Sequence, residues 1–200
     1  LTQYLLIRYF LSKNLKIVLL VPRVMLVEQM YSDFISYGWV DKDDYTVKIG
    51  GDNTVKNFTA PLTISTWQSI QGSPELFTNI DALIIDEAHV AAVVTEEIGK
   101  QAVNSYYRLG LSATPFRTDN QEIRIEGALG RKIIQVSASD LIERGYLVQP
   151  KIFLCKVNDF FEAKTYAEIY NLNIVNNWER NYRIKQFSEG FMLNNRPTLI

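Results

Sequence analysis

Two short apolar runs, "KIVLLVP" from Lys16 to Pro22 and "DALIID" from Asp81 to Asp86, constrain this chain more than any other feature. Neither alternates polar with apolar residues, as a strand with one wet face would. An unbroken apolar run of this length reads as a strand covered on both faces, the kind found in parallel sheets. Helix-like patterns over Leu1–Ser12, Val24–Tyr37, Val93–Tyr107 and Ala138–Arg144 can supply the cover. Strand alternating with helix predicts an α/β fold: a parallel sheet wrapped in helices. Further strands are expected over Tyr45–Ile49, Leu62–Ser65, Arg108–Leu111, Ile133–Val136 and Lys151–Val157.

Composition narrows the class. With 200 residues, 47% of them hydrophobic, and a net charge of -1, the chain can bury a core, which excludes a disordered segment. Its longest apolar runs fall far short of the roughly 18 residues a spanning helix needs, so no membrane partner is expected. The single cysteine, Cys155, has no intramolecular partner, which fits a reducing, cytoplasmic setting. A near-neutral total gives no general attraction to nucleic acid, so any such contact must be local. The opening "LTQYLLIRYFLSKN" lacks the plan of a secretory signal and reads as a helix already under way. Near Asn158 the character changes, with many Asn and aromatic residues before a helical "YRIKQFSEGFML" and a final "NNRPTLI".

The chemistry gathers at the end of the second apolar run. In parallel α/β sheets ligands sit beyond the carboxyl ends of the strands, where Asp86 and Glu87 are delivered. Phosphoryl transfer from ATP requires a magnesium ion on the phosphates and a group that orients the attacking water. Two adjacent acids leaving a strand in different directions suit those two roles. Their alternative is simple favourable charge at the start of the next helix. His89, the only histidine, completes the tetrapeptide "DEAH".

At this point the sequence resembles the superfamily two helicases and translocases, whose Walker B motif "DEAH" matches. Three more signals follow the family's order: "PRVMLVEQ" from Pro22 to Gln29 resembles motif Ia, Gly50–Gly51 with "ISTWQS" from Ile64 to Ser69 resembles motifs Ib and Ic, and "GLSATPFR" from Gly110 to Arg117 resembles motif III. The form of "GLSATPFR" and the stretch "SASDLIERGYLVQPKIFL" are most similar to the group containing XPB, restriction subunits and phage UvsW. The resemblance implies a RecA-like motor domain over residues 1–157, a connector over 158–180 and the start of a second motor domain over 181–200. By resemblance, Asp86 holds Mg2+ beside ATP, Glu87 activates water, and His89, Ser112 and Thr114 couple the nucleotide's state to domain movement. Arg23, Gly50, Gly51, Ser65 and Thr66 would contact the phosphates of branched or double-stranded DNA, since hydroxyls and backbone amides grip a repeating charge without reading bases.

One expected part is missing from the sequence. A phosphate-cradling loop reads G-x-x-x-x-G-K-[ST]. Only Gly99 among ten glycines precedes a lysine, and Gln101 follows it where a hydroxyl is required. The expectation is therefore a fragment of an ATP-dependent DNA helicase, incomplete at its N-terminus and inactive alone. Two rivals remain: the translocating subunit of a restriction enzyme, and a non-hydrolysing module that binds or anneals DNA.

Overall fold

The computed structural model describes residues 1–40, 46–51, 59–113, 121–158 and 161–199. Contacts divide the chain into two compact units, Leu1–Gln135 and Val136–Ile200.

The first unit is built on five strands, β1 (Ile17–Val21), β2 (Thr46–Ile49), β3 (Leu62–Thr66), β4 (Ala82–Ile85) and β5 (Tyr107–Gly110), in the order β2-β3-β1-β4-β5. Every neighbouring pair is parallel. The two apolar runs are β1 and β4, side by side at the middle of the sheet, with Leu19 opposite Ile84. All residues of β1, β3 and β4 are buried. Alternate residues feed opposite cores, as the two-residue period of a strand requires. Ile17, Leu19 and Val21 join Ala82 and Ile84 in one cluster, together with Tyr4, Ile7 and Phe10 from α1 (Thr2–Ser12) and Val27 and Phe34 from α2 (Val24–Ser36). Val18, Leu20, Leu83 and Ile85 join the other, with Ile70 from α3 (Trp67–Ile70), Leu76 and Phe77 from α4 (Glu75–Thr78) and Ile98 from α5 (Ala92–Gln101). A sixth helix, α6 (Glu122–Leu129), crosses α5 so closely that a Cβ added at Gly99 would lie 2.7 Å from the Ala128 Cβ.

The expected helix over Val93–Tyr107 is shorter in the structure, ending at Gln101. The cause is local competition for backbone groups, which short polar side chains exert beyond a helix end. Asn104 donates to the Thr78 carbonyl at 3.1 Å, and the Ser105 hydroxyl lies 2.9 Å from the Tyr107 carbonyl and 3.2 Å from that of Asp81. These bonds turn the chain into β5. Two expected strands are absent: Ile133–Val136 and Lys151–Val157 are irregular and largely exposed. Their β-branched and aromatic residues favour a pleated, half-buried surface, and without a neighbouring strand to pair with that preference has no effect.

The second unit holds α7 (Ala138–Glu143), α8 (Tyr166–Tyr170), a π-helical turn over Asn171–Val175, and α9 (Trp178–Leu193). Thr165 and Glu168 form a reciprocal capping box at the start of α8. The buried Asn173 amide accepts from the Phe161 N–H at 2.7 Å and donates to the Phe161 carbonyl at 2.8 Å, pairing that segment as a neighbouring strand would. Among the described residues no helix is long and apolar enough to cross a membrane.

The α5–α6 crossing yields a stability prediction. Gly99→Ala should lower the unfolding free energy by about 1–3 kcal/mol, because the two helices must separate to admit one methyl group. In an uncrowded helix the same change would stabilise by about 0.8–1 kcal/mol. Urea denaturation distinguishes the two signs.

Candidate active site

Parallel strands place all their carboxyl ends on one rim, and the residues singled out by the sequence lie along it in two groups. Arg23 follows β1, Gly50 and Gly51 follow β2, and Thr66 ends β3. Asp86 and Glu87 follow β4, and Ser112 follows β5. Since β2, β3 and β1 are consecutive in the sheet and β4 and β5 come after them, the two groups occupy adjacent stretches of one edge.

The β4–β5 stretch is tightly joined. The Asp86 N–H pairs with the Leu20 carbonyl at 2.8 Å, extending the ladder one step past β4. The Leu111 N–H reaches the Ile85 carbonyl at 2.9 Å, and the Ala88 N–H reaches the Leu111 carbonyl at 3.1 Å. Backbone bonds thus stitch the loop after β4 to the end of β5. Gly110 permits this approach, because a Cβ there would lie 3.1 Å from that of Ala88 and 2.7 Å from Leu129 Cδ1. Neither Ala88 nor Gly110 stands out as a site residue in the sequence; the signal available was their smallness inside the two motifs.

Side chains complete the junction. Ser112 Oγ lies 2.7 Å from His89 Nδ1, and Glu87 Oε2 lies 3.3 Å from the same nitrogen. Nδ1 carries at most one proton, and when neutral it either donates or accepts. Ser112 and Glu87 therefore compete for one ring atom. Glu87 Oε2 is buried and, among the described residues, has no hydrogen-bond partner, although the rest of its side chain reaches solvent. The Glu87 backbone is itself in the left-handed region, at φ 48°. That conformation is unfavourable for a residue with a Cβ, and such positions concentrate where function demands them. Thr114 lies outside the described residues.

Among the described residues, no three His, Cys, Asp or Glu side chains gather into a metal cage. The half-buried Asp86 carboxylate fits Mg2+ nonetheless, because this ion binds through one or two carboxylates and takes its other ligands from phosphates and water.

The β2–β3–β1 stretch is organised differently. Gly51 has φ 58° and no room for a Cβ, which would meet Val24 Cγ1 at 2.9 Å; a Cβ at Gly50 would lie 3.3 Å from Ser69 Oγ. The glycine pair therefore nests against the starts of α2 and α3. Arg23 is exposed at the N-terminus of α2. Ser65 and Thr66 are fully buried. The Ser65 hydroxyl lies 2.9 Å from the Ile49 carbonyl, joining β3 to β2, and Thr66 caps α3 by accepting from the Ser69 N–H at 3.3 Å. Both hydroxyls are thus engaged in holding the rim together.

Comparison with known proteins places this geometry. Residues 1–117 match the family described as "Type III restriction enzyme, res subunit". The chain is 31% identical over 202 residues to the ATP-dependent DNA helicase uvsW of Enterobacteria phage T4, covering 92% of this chain and 40% of that protein. It is 33% identical over 142 residues to putative helicase 22 of a Sulfolobus islandicus filamentous virus, covering 63% of this chain and 25% of the relative. It thus spans less than half the length of either relative. A crystal structure of the UvsW helicase from bacteriophage T4 superposes with a TM-score of 0.57 at 30% identity, over 64% of this chain and 47% of that one. The five-stranded parallel sheet is therefore a RecA-like helicase fold.

The strain at Glu87 is testable. Glu87→Gly should raise the unfolding free energy by about 1 kcal/mol, since glycine adopts left-handed φ without the penalty a Cβ brings. The change also removes a buried oxygen without a donor. Loss of stability on thermal denaturation would show that the carboxylate contributes more to folding than its backbone takes away.

Proposed function

The chain belongs to the family of the type III restriction enzyme res subunit, and from that premise we propose that it forms part of an ATP-driven DNA helicase or translocase. In this reading residues 1–157 serve as the first motor domain, 158–180 as a connector and 181–200 as the start of a second. The observation that carries it is the shared nitrogen: His89 Nδ1 lies within reach of both Glu87, the residue suited to activating water, and Ser112, on the neighbouring strand end. A change in what Glu87 contacts then alters the bonding open to Ser112, which gives hydrolysis a physical route to the segment after β5.

Asp86 would hold Mg2+ with the phosphates of ATP. The ion would supply charge neutralisation on the transferred phosphoryl group. Glu87 would accept a proton from the attacking water, its open oxygen facing solvent while Oε2 stays beside His89. Ser112 and Thr114 would carry the coupling role. DNA would lie along the β2–β3–β1 rim, with Arg23 contributing charge and the Gly50–Gly51 turn contributing backbone amides. The engaged hydroxyls of Ser65 and Thr66 support a supporting role for these two: they hold the turn and the start of α3 in place for phosphate contact. Support for a nucleic-acid substrate comes from the phage T4 relative, an ATP-dependent DNA helicase.

DNA-stimulated ATP hydrolysis, measured on the longest natural form of the chain, is the test. Glu87→Gln should retain ATP binding while hydrolysis falls by about a hundredfold or more, a loss of roughly 2.7 kcal/mol of transition-state stabilisation. Normal turnover in that variant would remove Glu87 from the chemistry. Absence of hydrolysis in the unaltered protein, with DNA binding intact, would favour a non-hydrolysing binding module. Separately, Arg23→Gln should weaken DNA binding across all sequences and reduce the salt slope of binding by about one.

A further inference from the structure

Away from the rim, α5, α6 and the flank of β5 enclose a crevice of about 430 Å3. Among the described residues, Lys100, Arg108 and Arg124 line it against one carboxylate, Glu96, a surplus of two positive charges. Glu96 already carries two of these cations: Lys100 Nζ lies 2.7 Å from one oxygen and Arg124 Nη1 2.5 Å from the other. Those hydrogen bonds, from Lys100 first and then Arg124, hold its carboxyl below the ordinary value. Glu96 is thus an ionised strut that sets two cations in position.

Among the described residues Arg108 has no such partner. It stands opposite the fully buried Leu83 in the ladder, and it is half-buried on a sheet position where an apolar residue would be ordinary. The one hydrogen bond of its guanidinium among the described residues is a long one, from Nη1 to the Gly99 carbonyl at 3.5 Å. A guanidinium offers five N–H donors, and a partly desolvated one is unfavourable until they are used. The site is also roomy, since nothing lies within 4 Å of where a Cβ on Gly127 would be.

We propose that the crevice between α5 and α6 binds a phosphate group, gripped by Arg108 with Lys100 and Arg124 beside it. A phosphate monoester carries about 1.5 to 2 negative charges near neutral pH, which matches the surplus. Its oxygens suit the planar guanidinium fork better than a spherical anion does. The group can come from a free phosphate compound or from a nucleic-acid backbone. The crevice lies alongside β5, whereas Asp86, Glu87 and Ser112 follow the strand ends, so it is separate from the proposed hydrolytic site.

Titration of the 200-residue chain with pyrophosphate, followed through backbone amide resonances, tests the proposal. Saturable shifts at Gly99 and Gly127 are expected, with affinity reduced about tenfold or more in Arg108→Gln and kept in Lys164→Gln, an exposed lysine of the second unit. Unchanged affinity in Arg108→Gln, or shifts confined to the strand-end loops, would overturn it. Lys100→Gln, altered at an exposed position on α5, provides the same comparison should Arg108→Gln fail to fold: weaker binding supports the site and equal binding refutes it. A short single-stranded oligonucleotide then separates the sources. If it displaces pyrophosphate from Gly99 and Gly127, the phosphate belongs to a nucleic-acid backbone; if it does not, the site takes free phosphate compounds.

Discussion

Backbone pairing of β1 with β3 on one side and β4 on the other is the interaction on which the remaining structure depends. Parallel strands need long crossovers, and α2, α3, α4 and α5 lie in them and cover the sheet. The central strands are covered on both faces: β1 and β4 carry no polar side chain at all, while the buried β3 admits Thr63, Ser65 and Thr66. The same polarity sends every strand end to one rim. Loops from residues far apart in sequence meet there without any side chain needing to attract them.

The rim shows how a stable sheet joins its loops at one edge. Between β4 and β5, backbone bonds from Asp86, Ala88 and Leu111 fix the loops. Small residues at Ala88 and Gly110 let the loops touch. Glu87 combines a left-handed backbone with a buried oxygen that has no hydrogen-bond partner among the described residues. Along β2, β3 and β1 the Ser65 and Thr66 hydroxyls are engaged within the rim, Gly50 is buried, and Gly51 and Arg23 are exposed. One sheet edge thus carries two adjacent stretches that are organised differently.

Edge position also governs what the sheet's flank can do. β5 is the last strand, and its residues are only partly covered, unlike those of β1, β3 and β4. An arginine in a central strand would be forced to bury its charge. At the edge, Arg108 stays half-wet beneath α5 and α6. The close crossing at Gly99 and Ala128 sets the width of the crevice it occupies. In the second unit the equivalent of sheet pairing is made by one side chain, with Asn173 bonding both backbone groups of Phe161.

By itself the sequence determined the α/β class, the two central strands and the placement of Asp86, Glu87, His89 and Ser112 at strand ends. These follow from apolar runs, turn residues and motif spacing, which are local properties of the chain. Its reading failed at Ile133–Val136 and Lys151–Val157, where strand propensity was present and a pairing partner was not. It also could not distinguish an exposed hydroxyl from a buried one at Ser65 and Thr66. Only the tertiary structure decided those points, together with the competition of Glu87 and Ser112 for one nitrogen and the half-buried setting of Arg108, with one long hydrogen bond among the described residues. Some of these depend on residues distant in sequence, as with Ser65 and Ile49, 16 positions apart, or Arg108 and Leu83, paired across β5 and β4. Burial and pairing belong to the packed molecule, because they are set by neighbours that the chain acquires only on folding.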